Sequence, residues 1–289
     1  LALTDRAYLR DLLLRYGFTF SKAMGQNFLI NPSVCPRMAE QGGATPGCGV
    51  LEIGPGVGVL TAELARRADK VVCIELDTRL KPILAETLEE FDNVEIIMGD
   101  VMEVDLAGII ADRFAGMPVS VCANLPYYIT TPILMRLLEA RLPVEAVTVM
   151  VQKEAAQRLC AAPGERECGA ISAAIAYYSE PKQLFSVSAG SFMPAPNVDS
   201  AVIRLDIRKA PPVYPKDEAF MFTVVRGAFA QRRKTVCNAL SAALGLPKAT
   251  IADCLTQCAL DVNIRAERLT LPQLAALSDA LLAYTTPHQ

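Results

Sequence analysis

The chain has 289 residues, room for one large domain or two ordinary ones at about 150 residues each. Hydrophobic residues make up 52% and charged residues 20%, which excludes a disordered chain and fits a soluble globular one with a sizeable core. The one histidine, His288, is penultimate, which removes most Ser-His-Asp, Cys-His and HExxH chemistry. No apolar run is long enough to span a bilayer and no basic-then-apolar leader is found, so a cytoplasmic location is expected. The nine cysteines form no CxxC pair; Cys254 and Cys258, one helical turn apart, have no histidine near them in sequence, and reduced thiols without a metal site are expected. The formal charge of −3 is uneven, for residues 209–289 carry nine Lys and Arg against six Asp and Glu. A basic C-terminal part is compatible with a nucleic-acid partner and equally with ordinary variation of surface charge.

Thr4 to Gly17 reads as a helix: Thr4 can cap it, Asp5 suits its positive end, and Leu9, Leu12, Leu13 and Tyr16 make an apolar face. A polar loop with a glycine and three amides follows over 22–32. Then strands and helices alternate. Val50–Ile53, Val71–Glu75, Val94–Met98, Val119–Ala123 and Val144–Val151 read as buried strands, with helices following the first, second and fourth. This spacing predicts a doubly wound, mostly parallel sheet. Two later pieces, Gln183–Ser188 and Ala201–Ile207, are expected to add an antiparallel edge, and Ala170–Ala176 reads as a buried helix. Pro211, Pro212 and Pro215 mark a linker, beyond which 217–284 holds three helical patterns and no strand. The expected domains are therefore 1–209, α/β, and 210–289, all helical.

Four strand ends carry chemistry. Leu51-Glu-Ile-Gly-Pro-Gly-Val-Gly58 runs a strand into glycines that let backbone amides approach a ligand at a helix N-terminus. A dinucleotide fingerprint would need glycine where Val59 stands, and Glu52 before the first glycine suits a cationic ligand better than a pyrophosphate. Glu75 lies 21 positions after Gly54, where an acidic residue can bond ribose hydroxyls. Gly99-Asp100 ends the third strand and offers a carboxylate to an adenine amino group, although a turn-forming Asp there is routine. Asn124-Leu-Pro-Tyr127 ends the fourth. The lone pair of an amine conjugated to an aromatic ring is delocalised. The Asn124 side-chain oxygen and the Leu125 carbonyl can accept its two N–H bonds and turn that lone pair toward an electrophile, while Tyr127 stacks on the ring. Each motif alone is compatible with an ordinary turn; together they favour a nucleoside-type ligand and a base.

The set resembles the class I S-adenosylmethionine-dependent methyltransferases, with their Rossmann-like sheet. Within them it resembles the small-subunit (16S) rRNA adenine N6-dimethyltransferases of the KsgA/RsmA type. The resemblance covers essentially the whole chain. It rests on Lys22-x-x-Gly-Gln-Asn-Phe-Leu29, Glu52–Gly58, Glu75-Leu-Asp77, Gly99-Asp100, Asn124–Tyr127, Gln152-Lys-Glu154, Gly169-Ala-Ile-Ser172, Phe192–Ser200 and Ala228–Thr235. Cys168 departs from it, where an aromatic residue is usual. The resemblance implies S-adenosyl-L-methionine as cofactor. Gln26, Asn27, Leu29, Leu76 and Val101 would lie against it, Gly54 and Gly56 pass its methionine part, Glu75 its ribose, and Asp100 its adenine. Asn124 would touch both cofactor and target amine, and Tyr127 and Phe192 would clamp a flipped adenine. The implied substrate is a pair of adjacent adenosines in a 3′-terminal hairpin of 16S rRNA in the small ribosomal subunit, each methylated twice during ribosome assembly. Arg232, Arg233 and Lys234 are expected to meet rRNA phosphates, and a monomer without metal or membrane attachment is expected.

The nearest alternative is the related family that dimethylates a large-subunit (23S) rRNA adenine and confers macrolide resistance; Leu125 and the Phe192–Ser200 block favour the small-subunit enzymes. A DNA adenine methyltransferase would begin its motif Asp or Asn-Pro-Pro. Intact Glu52, Glu75, Asp100, Asn124 and Tyr127 speak against a non-catalytic assembly factor on the same fold, and Val59 against an NAD oxidoreductase.

Overall fold

A computed structural model describes residues 3–21 and 25–285. Lys22, which opens the N-terminal motif, and His288 lie outside the described residues. The chain divides into two compact units, one of residues 1–156 and 181–207, the other of residues 157–180 and 208–289. The expected single boundary near 210 therefore misses a segment. Residues 157–180 belong with the C-terminal part, and Ala173, Ala176 and Tyr177 of the helix over 170–178 pack into the helical core.

In the first unit, α1 (Arg6–Arg15) is capped by Asp5, not Thr4: the Asp5 carboxylate accepts from Tyr8 N at 2.9 Å. Gly17, at φ +59°, lets the chain leave the helix, with Phe18 N bonding back to Leu13 O. Part of the expected polar loop is in fact β1 (Phe28–Leu29), followed by α2 (Val34–Gln41). Then come β2 (Gly49–Ile53), α3 (Val59–Ala65), β3 (Lys70–Glu75), α4 (Lys81–Thr87), β4 (Val94–Met98), α5 (Leu106–Phe114), β5 (Val119–Asn124), α6 (Thr130–Glu139), β6 (Ala146–Gln152) and α7 (Lys153–Cys160). After α8 (Ala170–Tyr178) follow β7 (Ser179–Val187), β8 (Phe192–Met193) and β9 (Ser200–Ile207).

Seven strands form one sheet in the order β4-β3-β2-β5-β6-β9-β7. The first five are parallel and β9 runs antiparallel to β6. Strands β2, β3, β5 and β6 are buried almost throughout, which is why they read as continuous apolar runs. β4, at the edge, is only half-buried. From β2 the chain winds outward through β3 and β4, then returns to place β5 on the other side of β2. This reversal opens a crevice at the carboxyl ends of β2 and β5, which lie side by side with Ile53 opposite Ala123. A separate antiparallel ladder joins β1 to β8, with Leu29 opposite Phe192. Among the described residues no helix is long and apolar enough to cross a membrane.

In the second unit, α8 joins α9 (Glu218–Phe229), α10 (Val236–Leu244), α11 (Lys248–Gln257) and α12 (Leu271–Thr285). Four helices thus follow the linker where three were expected. Gly245, at φ +69°, ends α10, and Pro247 starts α11 two residues later, so one apolar pattern hides a tight break. Met221, Val224, Leu240, Ile251, Leu255, Leu274 and Leu277 form the core. Gly227 sets the approach of α10 to α9, since a Cβ there would stand 2.8 Å from that of Ala243.

The loop after β4 is fastened from α6. Arg136 donates from Nε to the Val101 carbonyl and from a terminal nitrogen to that of Val104, both at 2.8 Å. Asp100 shapes the same loop, accepting Met102 N on its carboxylate and Glu103 and Val104 amides on its carbonyl. Arg136→Ala should cost about 1–3 kcal/mol in urea denaturation, the scale of lost charge-assisted bonds to a part-buried loop. The amides of 102–104 should then exchange faster with solvent than in the parent; unchanged protection would show that the clamp does not hold the loop.

Candidate active site

One cleft in the first unit gathers every expected cofactor and base residue. Gln26, Asn27, Leu29, Gly54, Gly56, Glu75, Leu76, Asp100, Val101, Asn124, Leu125, Tyr127 and Phe192 all line it. The parallel register puts the glycine turn after β2, the acids ending β3 and β4, and the Asn motif ending β5 on one rim. Gly54 and Gly56 take φ of +69° and +60°, which L side chains rarely adopt. At Gly56 a Cβ would also come within 3.2 Å of the Phe28 ring, which would have to shift to admit a side chain.

Two buried carboxylates face this cleft. Glu52 is 1% exposed, and burial pushes its carboxyl up to about 7; the Cys73 thiol donates to it at 3.4 Å and is itself pushed up by burial. Glu75 is 6% exposed. Burial raises its pKa, against the pull of the Asp77, Gly56 and Leu76 amides, and its Oε1 accepts from Asp77 N at 2.7 Å. Asp77 lies beside the Arg79 guanidinium, which holds its carboxyl below the usual range at 2.6 Å. Gln26 donates to Asp77 at 2.8 Å and accepts from Ser21 N, so its side chain ties the N-terminal segment to the end of β3. Arg79 extends that tie by bonding the Thr19 carbonyl and stacking on Phe18 at 4.8 Å. Asn27 bonds back to the Gly25 carbonyl.

On the opposite wall, the Asn124 side-chain amide has no hydrogen bond among the described residues. The turn's own bonds, from Ile129 N and the Thr130 hydroxyl, go to the Pro126 carbonyl and bypass that of Leu125. Tyr127 is half-buried, with its hydroxyl 2.7 Å from Ser200 Oγ. Phe192 is more enclosed than a clamping role suggests, at 2% exposure, and reaches the cleft from β8 through its pairing with Leu29. Tyr128, 62% exposed, adds an aromatic ring that the sequence did not single out. Asp77, Arg79, Arg136 and Ser200 were given no role either, although Asp77 and Ser200 stand within motifs named from the sequence. An i, i+2 Asp-x-Arg after the acidic strand end could have flagged the first two; Arg136 carries no signal short of the fold.

Arg232, Arg233 and Lys234 lie far along the chain, on the exposed turn between α9 and α10 rather than in a helix. Among the described residues no group of His, Cys, Asp and Glu could hold a metal ion.

Residues 17–271 match the family model described as ribosomal RNA adenine dimethylase. A curated relative from Geobacillus sp. (strain WCH70), called ribosomal RNA small subunit methyltransferase A, is 49% identical over 276 residues, covering 94% of this chain and 95% of its own length. Among solved structures, a dimethyladenosine transferase from Plasmodium falciparum superposes with a TM-score of 0.73 at 23% identity, over 89% of this chain and 97% of that one, and shares the fold. The 23S rRNA methyltransferase ErmE superposes with a TM-score of 0.68 at 27% identity, over 88% of this chain and 99% of its own. With a family match across most of its length and half its residues shared with a relative of nearly equal length, the chain belongs to the ribosomal RNA adenine dimethylase family.

Proposed function

We propose that this protein dimethylates the N6 amino groups of two adjacent adenosines in a 3′-terminal hairpin of 16S rRNA during small-subunit assembly, working in the cytoplasm as a monomer. The observation that carries this reading is the Asn124 amide, without a hydrogen bond among the described residues, beside the Leu125 carbonyl and facing the glycine turn across one cleft. The 49% identity to a small-subunit enzyme, against 27% to ErmE, favours 16S over 23S rRNA. The direct test is transfer of labelled methyl groups to small subunits from a strain lacking the modification, with large subunits as the control. Labelling of large subunits instead would overturn it.

S-adenosyl-L-methionine supplies an electrophilic methyl group when bound. The residues present fit such a ligand: bare backbone at Gly54 and Gly56, a buried carboxylate at Glu75 for a diol, and Asp100 for an amino group. Glu52 adds negative charge suited to a cation. No strong base is needed, because a methylated amine is acidic enough to lose its proton to water. Catalysis then comes from orientation and from acceptors placed where positive charge develops on nitrogen. Asn124 and Leu125 supply those acceptors, and Tyr127 and Phe192 hold the extruded base.

Glu75→Ala should weaken binding of S-adenosylhomocysteine by about 1.5–3 kcal/mol in calorimetry, the scale of a charge-assisted bond, with a smaller loss for Asp100→Ala. Unchanged affinity in a folded Glu75 variant would sink the diol assignment.

Glu52 gives a pH signature. Its carboxyl is about 7 in the folded chain against an ordinary 4.5 when exposed, so the unfolded chain loses that proton first. This contribution to stability is complete below pH 4.5, falls as pH rises toward 7, and is flat beyond, a loss of about 3 kcal/mol that Glu52→Gln should abolish. A cation in the cleft favours the carboxylate, so S-adenosylmethionine binding near pH 7 should release protons. Calorimetry in buffers of different ionisation enthalpy reads this directly; identical heats in both would refute it.

Asn124→Ala should slow single-turnover methyl transfer by roughly 10²–10³, as for one lost transition-state hydrogen-bonding group, with subunit binding largely kept. Tyr127→Phe should be mild, since the ring stacks and only the bond to Ser200 is lost, whereas Tyr127→Ala should be severe. A parental rate in Asn124→Ala would show that the amide does not position the amine.

A further inference from the structure

The helical unit has a polar cavity of its own, of about 140 Å³. It forms where three loops meet: the turn over 163–168 before α8, the α9–α10 turn, and the short turn over 266–268 before α12. Arg166 lines it from the first, Gln231, Arg232 and Lys234 from the second, and Glu267 from the third. Arg233, between Arg232 and Lys234, does not line it. None of Arg166, Arg232 and Lys234 is ion-paired among the described residues, and neither is Glu267. Glu165, next to Arg166, spends its carboxylate on the Ala162 amide of its own turn and does not line the cavity. Among the residues that line it, three cations thus face one carboxylate around a polar hollow large enough for one tetrahedral oxyanion. Unpaired guanidinium and ammonium groups converging from separate loops are the chemistry that holds a phosphate.

We propose that Arg166, Arg232 and Lys234 form a seat for a single phosphate group of the rRNA backbone, with Arg233 outside it. The inference rests on ribosomal RNA being the substrate and assigns it a contact from the 163–168 turn, nearly seventy positions upstream of the basic turn. Glu267 opposes an anion in the same hollow, so the seat works only because the cations outnumber it.

The test is binding of the full chain to small subunits lacking the modification, at several salt concentrations, with Arg166→Gln, Arg232→Gln, Lys234→Gln, Arg233→Gln and Glu267→Gln; S-adenosylhomocysteine affinity reports that each variant is folded. Arg166→Gln, Arg232→Gln and Lys234→Gln should each weaken binding about three- to tenfold and flatten its salt slope by up to about 0.9. Groups sharing one phosphate are coupled, so Arg166→Gln combined with Arg232→Gln should cost less than the product of the two single losses, whereas Arg166→Gln combined with Arg233→Gln should multiply. Glu267→Gln should tighten binding. Parental binding in Arg166→Gln alongside a loss in Arg232→Gln would overturn the seat and leave the basic turn as an RNA contact. Parental binding in all the variants would also remove that turn from the RNA surface, and methyl transfer to small rather than large subunits would still decide the substrate separately. Inorganic phosphate, titrated at constant ionic strength, separates the sources: if it raises the melting temperature of the parent but not of Arg166→Gln while subunit binding is unaffected, the seat takes a free anion and the RNA assignment is overturned.

Discussion

Strands β2 and β5 run parallel and adjacent, with Ile53 opposite Ala123, although seventy residues and two other strands separate them in the chain. Parallel pairing aligns carboxyl ends, and the reversal of strand order leaves no helix to cover the gap between them. The glycine turn that follows β2 and the Asn motif that ends β5 therefore face each other across one cleft. β3 and β4, continuing outward in the same direction, add Glu75 and Asp100 to the same rim. A slip of one residue in the β2–β5 pairing would turn alternate side chains to the other face of the sheet and take the site apart.

Several polar anchors hold the loops around that rim. Asp77 takes Gln26 and Arg79 and draws in the N-terminal segment; Arg136 ties the Asp100 loop to α6, the helix that begins just past Tyr127. The β1–β8 ladder brings Leu29 and Phe192 to the same wall from opposite ends of the sequence. Preorganisation of this kind suits a reaction that needs orientation more than proton transfer. It agrees with a cleft whose acidic groups include Glu52 and Glu75, both pushed above the usual carboxylate range by burial.

In the helical unit the same economy holds with opposite charge. Its apolar residues form a core, and the turns at the helix ends carry Arg166, Arg232 and Lys234, none of them ion-paired among the described residues. Exposed cations without carboxylate partners keep their charge available to a polyanion.

Much of this was legible in the residues. The apolar runs of β2, β3, β5 and β6 read as buried strands, because a sheet covered on both faces tolerates such continuity, and the turn chemistry at their ends favoured a nucleoside-type ligand. Glycines that must adopt positive φ, and acids set at strand ends, are local facts that a sequence carries. The two-residue strand β1 was not legible, since its ladder partner lies over 160 positions away and its apolar content is two side chains. Nor was the break between α10 and α11, or the membership of 157–180 in the helical unit, both of which depend on which apolar face finds which partner. The pairing of Asp77 with Gln26, the reach of Arg136 to two carbonyls and the meeting of Arg166 with Arg232 and Lys234 were decided only in three dimensions. Hydrogen bonds and charges act over a few ångströms of space, and the sequence orders residues along the chain without fixing those distances.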